Sequence, residues 1–238
     1  MTNFVLVHGG GHGGWCWQPV ARRLRARGHE VHAQSLTGLG DRQHLLSADI
    51  DLLTHVEDVA SLLFSEDLSN VVLVGHSYGG MVITGVADVA IDRIKRLVYL
   101  DAVIPHTGES VLDTSPGLQH FNDVKIVDGV PLGLWPENVI GPVYGLQGDL
   151  AEWALPRLSP HPWRTFETNL TLRNESAVRR IPRAIVNCTS SLARRAPETR
   201  HRWLDGDFVR EVEAGHDLML TEPEVVSRLL LEIADFGA

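Results

Sequence analysis

Four consecutive apolar residues, Val71-Val72-Leu73-Val74, run straight into Gly75-His76-Ser77-Tyr78-Gly79, and a helix-compatible stretch starts at Gly80. A short, unbroken apolar run of this kind is expected of a strand buried on both faces, which requires a parallel sheet with helices packed on each side. The residues after it fit G-x-S-x-G, in which a serine occupies a tight strand-to-helix turn with strained backbone angles. Flanking glycines remove the side-chain clashes such a turn would create. The turn exposes the hydroxyl above the sheet edge, with the next backbone N–H and a helix N-terminus beside it. Ser77 therefore reads as a nucleophile. A serine that only ends a strand and caps a helix is the plainer alternative, and the flanking elements weigh against it.

The same alternation extends along the chain. Asn3 to Val7 reads as a strand, Gln18 to Arg27 as a helix stopped at Gly28, and Glu30 to Gln34 as a second strand. Asp51 to Phe64 puts Leu52, Val56, Val59, Ala60 and Leu63 on one helical face. A helix then runs from the Ser77 turn to about Ile91, followed by a strand over Arg96 to Leu100. The rhythm breaks between about Pro105 and Ile181, where most of the prolines gather with Trp135, Trp153 and Trp163 and no buried-strand run occurs. It resumes with a strand at Arg183 to Cys188, a helix around Glu198 to Leu204, a strand at Phe208 to Val212 and an amphipathic helix from Glu222 to Phe236. The expectation is an α/β fold with a mostly parallel sheet and helices on both faces. Residues 1–104 and 182–238 would form its core, and 105–181 a lid inserted over the sheet.

Composition narrows the classes further. The 238 residues, 44% of them hydrophobic, suit one such domain and are too apolar for disorder. A formal charge of −9 argues against nucleic acid, and no apolar run is long enough to cross a bilayer. The chain enters its first strand directly after Met1-Thr2-Asn3, with no signal-like segment, and carries only Cys16 and Cys188. The expected protein is acidic, cytoplasmic, and a monomer or homodimer.

A serine nucleophile needs a base, and His216 in Ala214-Gly215-His216-Asp217 follows the last expected strand at the same carboxyl edge. An oxyanion needs two backbone donors. Tyr78 N–H would supply one, and Gly10, in the open loop His8-Gly9-Gly10-Gly11-His12-Gly13-Gly14, the other. Gly9, Gly11 and Gly14 also match G-x-G-x-x-G, but the second strand ends in Gln34 and Ser35 rather than the acid a dinucleotide site requires. His8 and His12 lack a third ligand, so no metal and no cofactor is expected.

The loop His8 to Trp17 and the Gly75 to Gly80 turn resemble the α/β-hydrolase superfamily, in particular its plant methyl esterase and hydroxynitrile lyase branch with bacterial esterase-like relatives. The resemblance runs over most of the chain and implies an α/β-hydrolase fold. It also implies that an aspartate should follow the strand ending at Cys188, where Thr189-Ser190-Ser191 stands instead. Asp101 ends the strand after the nucleophile helix, a position some haloalkane dehalogenases of the superfamily use for their acid, and is the candidate orienter of His216. Capping the first turn of the lid is its plainer role. Asp205 and Asp207 fall in an expected surface turn, and Asp217 should point away from its neighbour His216. Lyases of the branch carry a threonine and a lysine where Gly9 and Asp217 stand here, so lyase chemistry is not expected.

The reading is a carboxylic ester hydrolase with a Ser77–His216–Asp101 triad, acting on a small or medium hydrophobic ester. Trp135, Trp153, Trp163, Leu132, Leu134 and Phe166 suggest an apolar lid chamber, with Leu218 and Met219 as its floor beside the base. Two rivals stand beside it. One is a ligand-binding or receptor protein with little turnover; the other is an acyltransferase or C–C bond cleaving enzyme using the same site.

Overall fold

The computed structural model describes residues 1–115, 117–118 and 123–237; residues 116 and 119–122, within the expected insertion, lie outside the described residues. The chain begins with β1 (Asn3–Val7), α1 (Gln18–Arg25), β2 (Glu30–His32), α2 (Leu52–Ser65), β3 (Val71–His76), α3 (Gly79–Val89) and β4 (Ile94–Leu100). After the intervening segment it continues with β8 (Arg183–Cys188), α9 (Thr189–Arg194), β9 (Phe208–Val212), α10 (Leu218–Thr221) and α11 (Pro223–Asp235). Six strands form one parallel sheet in the order β2-β1-β3-β4-β8-β9.

Each central strand is apolar at nearly every position because both of its faces are covered. Phe4, Leu6, Val72, Val74, Val98 and Leu100 pack with α1 and α11 on one side. Val5, Val7, Leu73, Leu97 and Tyr99 pack with α2 and α3 on the other. Asp51 starts α2 by accepting the Thr54 N–H at 3.0 Å while Thr54 Oγ1 accepts the Asp51 N–H, which satisfies the first orphan donors of the helix. The strand order runs outward in opposite directions from β1 and β3. Their carboxyl ends therefore flank the crevice where such sheets bind ligands.

Several expected boundaries shift. The second strand ends at His32 rather than Gln34, and the helix expected at Glu198 to Leu204 is a single 3-10 turn, Arg200–Trp203. The turn after Cys188 forms the short helix α9, which its Thr-Ser-Ser start does not announce. Between β4 and β8 the chain builds a second sheet where no strand was expected: β5 (Asp123–Val127), β6 (Val130–Leu134) and β7 (His161–Pro162) pair antiparallel. Short helices α4 (Val111–Thr114), α5 (Glu137–Tyr144), α6 (Gly148–Ala154), α7 (Arg164–Glu167) and α8 (Glu175–Val178) complete the segment, with α7 packed against α2 and α4, and α8 against α3. Its strands are brief and β5 is exposed on its outer side, so they lack the long apolar runs that mark the main sheet. Among the described residues no helix is long and apolar enough to cross a membrane.

Candidate active site

Ser77 has φ +53°, the left-handed region, at the sharp turn from β3 into α3. A non-glycine residue there costs roughly 1–2 kcal/mol, so the surrounding structure must hold it. Val103 N donates to the Ser77 carbonyl at 3.0 Å, and Ser77 N donates to the Leu100 carbonyl at 3.4 Å. The turn closes only because its neighbours are small. A β-carbon on Gly80 would lie 2.0 Å from the Val103 carbonyl oxygen.

Asp101, at the end of β4, is likewise left-handed, with φ +44°. Its carboxylate is almost wholly buried and fully engaged. His216 Nδ1 donates to Asp101 Oδ2 at 2.6 Å, Ser191 Oγ donates to the same oxygen at 2.7 Å, and Cys188 N donates to Oδ1 at 3.1 Å. Burial pushes the Asp101 carboxyl up, but the bond and charge of His216 pull it down further, to about 2. The hydroxyl at Ser191, in the stretch that lacks an acid, thus serves the acid on the neighbouring strand.

His216 lies between β9 and α10 and remains partly accessible. Its backbone carbonyl accepts from His76 Nε2 at 2.9 Å, which ties the residue before Ser77 to the loop of His216. The rings of His76 and His216 are 4.7 Å apart between centroids. Burial drives the His76 pKa down to about 3, with the nearby His216 acting in the same direction, so His76 is a neutral donor.

The glycine loop after β1 meets this turn from the other side. A β-carbon on Gly9 would sit 2.8 Å from Ser77 Cβ. Leu36 N donates to His8 Nε2 at 3.0 Å, which leaves His8 Nδ1–H to donate to the Gly9 carbonyl at 2.8 Å. In a trans peptide the Gly10 N–H then points to the opposite side from that carbonyl. Neither Gly10 N–H nor Tyr78 N–H donates to an acceptor among the described residues. Burial brings His8 down to about 3, so it too is neutral. All four ring nitrogens of His8 and His12 are spent on hydrogen bonds.

One pairing was not anticipated. His12 and Asp217 are both fully buried and meet through His12 Nε2 and Asp217 Oδ2 at 3.0 Å, while His12 Nδ1 contacts the Gly10 carbonyl at 2.8 Å. Asp217 does point away from His216, as expected, but into a partner across the site. Burial opposes charge on His12; the Asp217 carboxylate more than offsets it and raises the histidine, while Asp217 itself is lowered. A histidine inside a glycine loop and an aspartate next to His216 were the only sequence signals for this pair.

The aromatic candidates divide. Phe166 and Trp135 approach the glycine loop, with ring carbons 2.8 and 3.1 Å from where a Gly10 side chain would begin. Phe166 stacks on His161 at 4.2 Å and lies 5.3 Å from the Tyr78 ring, with Trp163 packed behind it at 5.4 Å. Leu132 is buried in β6 and Leu134 half-buried at its end. Three expected lining residues lie elsewhere. Trp153 is 38% exposed and sits edge-on to Trp15. Leu218 and Met219 are fully buried in the apolar layer of α1, α10 and α11, because α10 turns them away from the His216 loop into the core. Tyr144, which carries no sequence signal, stands 5.6 Å from the His216 ring.

The model of the alpha/beta hydrolase family matches residues 4–229 of this chain. The chain belongs to the alpha/beta hydrolase family. It is 34% identical to the carbendazim hydrolyzing esterase of Nocardioides sp. (strain SG-4G), over 97% of this chain and 98% of that protein. It is 30% identical to methylesterase 1 of Arabidopsis thaliana, over 98% of this chain and 96% of that protein. The crystal structure of another Arabidopsis methylesterase superposes with a TM-score of 0.82 at 24% identity, covering 99% of this chain and all of that one. The α/β-hydrolase fold expected from the glycine loop and the serine turn is therefore the fold this family member has.

Proposed function

We propose that the protein is a carboxylic ester hydrolase that cleaves a small or medium hydrophobic ester through an acyl-enzyme on Ser77. One observation carries the reading: a buried carboxylate, Asp101, bonded at 2.6 Å to Nδ1 of the histidine whose loop is tied to the serine turn. With its proton fixed on Nδ1, His216 keeps Nε2 free as a base. His216 takes the Ser77 proton as Oγ attacks the ester carbonyl, and Asp101 stabilises the resulting imidazolium. The tetrahedral oxyanion lies against the N–H groups of Gly10 and Tyr78. His216 then protonates the leaving alcohol, and water attacks the acyl-enzyme by the same steps to release the acid and free Ser77.

The esterase and methylesterase names of the two relatives support the ester class. Trp135, Phe166, Tyr78 and Tyr144 around the site favour an apolar, ring-bearing substrate over a charged one. The segment 105–181, which supplies Trp135, Tyr144 and Phe166, would act as the lid that sets this choice.

Hydrolysis of p-nitrophenyl acetate and butyrate by the wild type and Ser77→Ala, side by side, tests the reading. Turnover that vanishes with Ser77 supports it and leads to a panel of methyl esters and carbendazim. Turnover indifferent to Ser77 defeats it, and no turnover at all shifts the weight to a binding protein, to be pursued by ligand-induced thermal shifts.

A further inference from the structure

Gly10 has no side chain to anchor it, so beyond the packing of Phe166 and Trp135 against it its position depends on the hydrogen bonds of the flanking peptides. The peptide before it is held through the Gly9 carbonyl by His8 Nδ1. The peptide after it is held on both edges: its carbonyl accepts from His12 Nδ1 at 2.8 Å, and its Gly11 N–H donates to His161 Nδ1 at 3.2 Å. Of these three histidines, His12 alone also reaches the loop of His216, through Asp217. A carbonyl oxygen and a carboxylate oxygen both accept, so His12 donates from both ring nitrogens and is an imidazolium. Asp217 is fixed in turn by its own N–H, which donates to the Tyr144 carbonyl at 3.1 Å.

A buried ion pair is a weak device for stability, because desolvation of both charges consumes most of the attraction. This pair lies where two loops meet that must hold their spacing to a fraction of an ångström for transition-state binding. We infer that His12 and Asp217 are a positioning pair, which fixes the Gly10 carbonyl, and through the Gly10 Cα the N–H on its other side, at a set distance from the loop of His216. The inference rests on Gly10 being an oxyanion donor, as proposed above.

The test compares the wild type with Asp217→Asn and with the double variant His12→Phe/Asp217→Leu. Asparagine can still bond to His12; the double variant removes both charges and both bonds, so nothing charged is left buried. The double variant should fold with a Tm at or above that of the wild type. Its kcat for p-nitrophenyl butyrate should fall by about tenfold to a hundredfold while KM stays within about twofold, since the oxyanion contact matters in the transition state. Its Ki for a trifluoromethyl ketone, which forms a hemiketal oxyanion on Ser77, should rise in proportion. Asp217→Asn should stay within a few-fold of the wild type in kcat.

A folded double variant with wild-type kcat would overturn the inference, as would a loss confined to KM. So would an Asp217→Asn variant as impaired as the double one. If the double variant does not fold, His12→Gln, which cannot bridge both acceptors, must show the same kcat loss at unchanged KM. Ser77→Ala run alongside separates the two possible failures. Turnover that survives it removes the reading of the site, whereas Ser77-dependent turnover at full kcat in the double variant removes only the role of the pair.

Discussion

The carboxyl edge of the six-stranded sheet and the small sheet β5-β6-β7 are built to different tolerances. At the edge, two non-glycine residues in succession along the sheet, Ser77 and Asp101, are held in left-handed conformations, and glycines lie against backbone with no room for a β-carbon. Buried His12, in the loop after β1, and His76, at the end of β3, each bond to the loop after β9. In the small sheet, by contrast, Ile126 is 75% exposed and Val124 and Val127 are exposed beside it. The small sheet also has left-handed residues, Asp128 at φ +50° and Gly129, but these lie in its exposed hairpin turn, where Asp and Gly are tolerated. The edge holds Ser77 and Asp101 that way at packed strand ends, whereas the outer strand of the small sheet is under little constraint.

This contrast can be broken or sharpened by substitution. Ser77→Ala should reduce kcat/KM for p-nitrophenyl butyrate by about 10⁶-fold while leaving the fold intact, and residual activity near wild type would refute the nucleophile. Asp101→Asn should cost about 10⁴-fold in kcat, because the amide can donate and favours the wrong tautomer of His216. A loss below tenfold would mean that another group orients the base. Gly80→Ala should destabilise by at least several kcal/mol or prevent soluble expression, since its β-carbon meets a backbone oxygen that cannot retreat. A well-folded Gly80→Ala protein would show the turn to be looser than described.

A smaller effect should follow pH. His8 and His76 titrate at about 3 in the fold and near 6.5 in the unfolded chain, so below 6.5 the unfolded state binds more protons. Stability should fall as pH drops from about 6.5 towards 3, by up to ~1.4 kcal/mol per pH unit for each histidine. Asp101, near 3.9 unfolded and about 2 folded, adds to the loss only between those values. Urea midpoints at pH 7, 6 and 5 measure this; a flat profile would mean the buried histidines are charged or absent from the linkage. The smallest change should come from the other region. Ile126→Thr on β5 should shift stability by less than about 0.5 kcal/mol and kcat/KM less than twofold. A large kinetic effect there would bring β5 into the site.

Much of the sheet was legible because its strands must be apolar on both faces. Arg183–Cys188 and Phe208–Val212 were expected to the residue, and Val71 was the expected start of β3. The segment between β4 and β8 was not, because β5 and β6 form a local hairpin whose outer side faces solvent and leaves no continuous run. The residues of the candidate site divide in the same way. Ser77, His216 and Gly10 sit in motifs whose spacing follows from the turns they occupy.

Asp101 was one carboxylate among several by sequence; only the neighbouring strand β8 and helix α9, which bring Cys188 N and Ser191 Oγ onto it, distinguish it from Asp205, which is exposed beside Arg183. His12 and Asp217 were invisible as a pair, being 205 residues apart. Local sequence determines where strands start, where a backbone must bend and which residues stand at the bends, since those depend on near neighbours and the pleat. Which charged groups meet across the bends is decided by the order of strands in the sheet, and that order is settled only when the whole core packs.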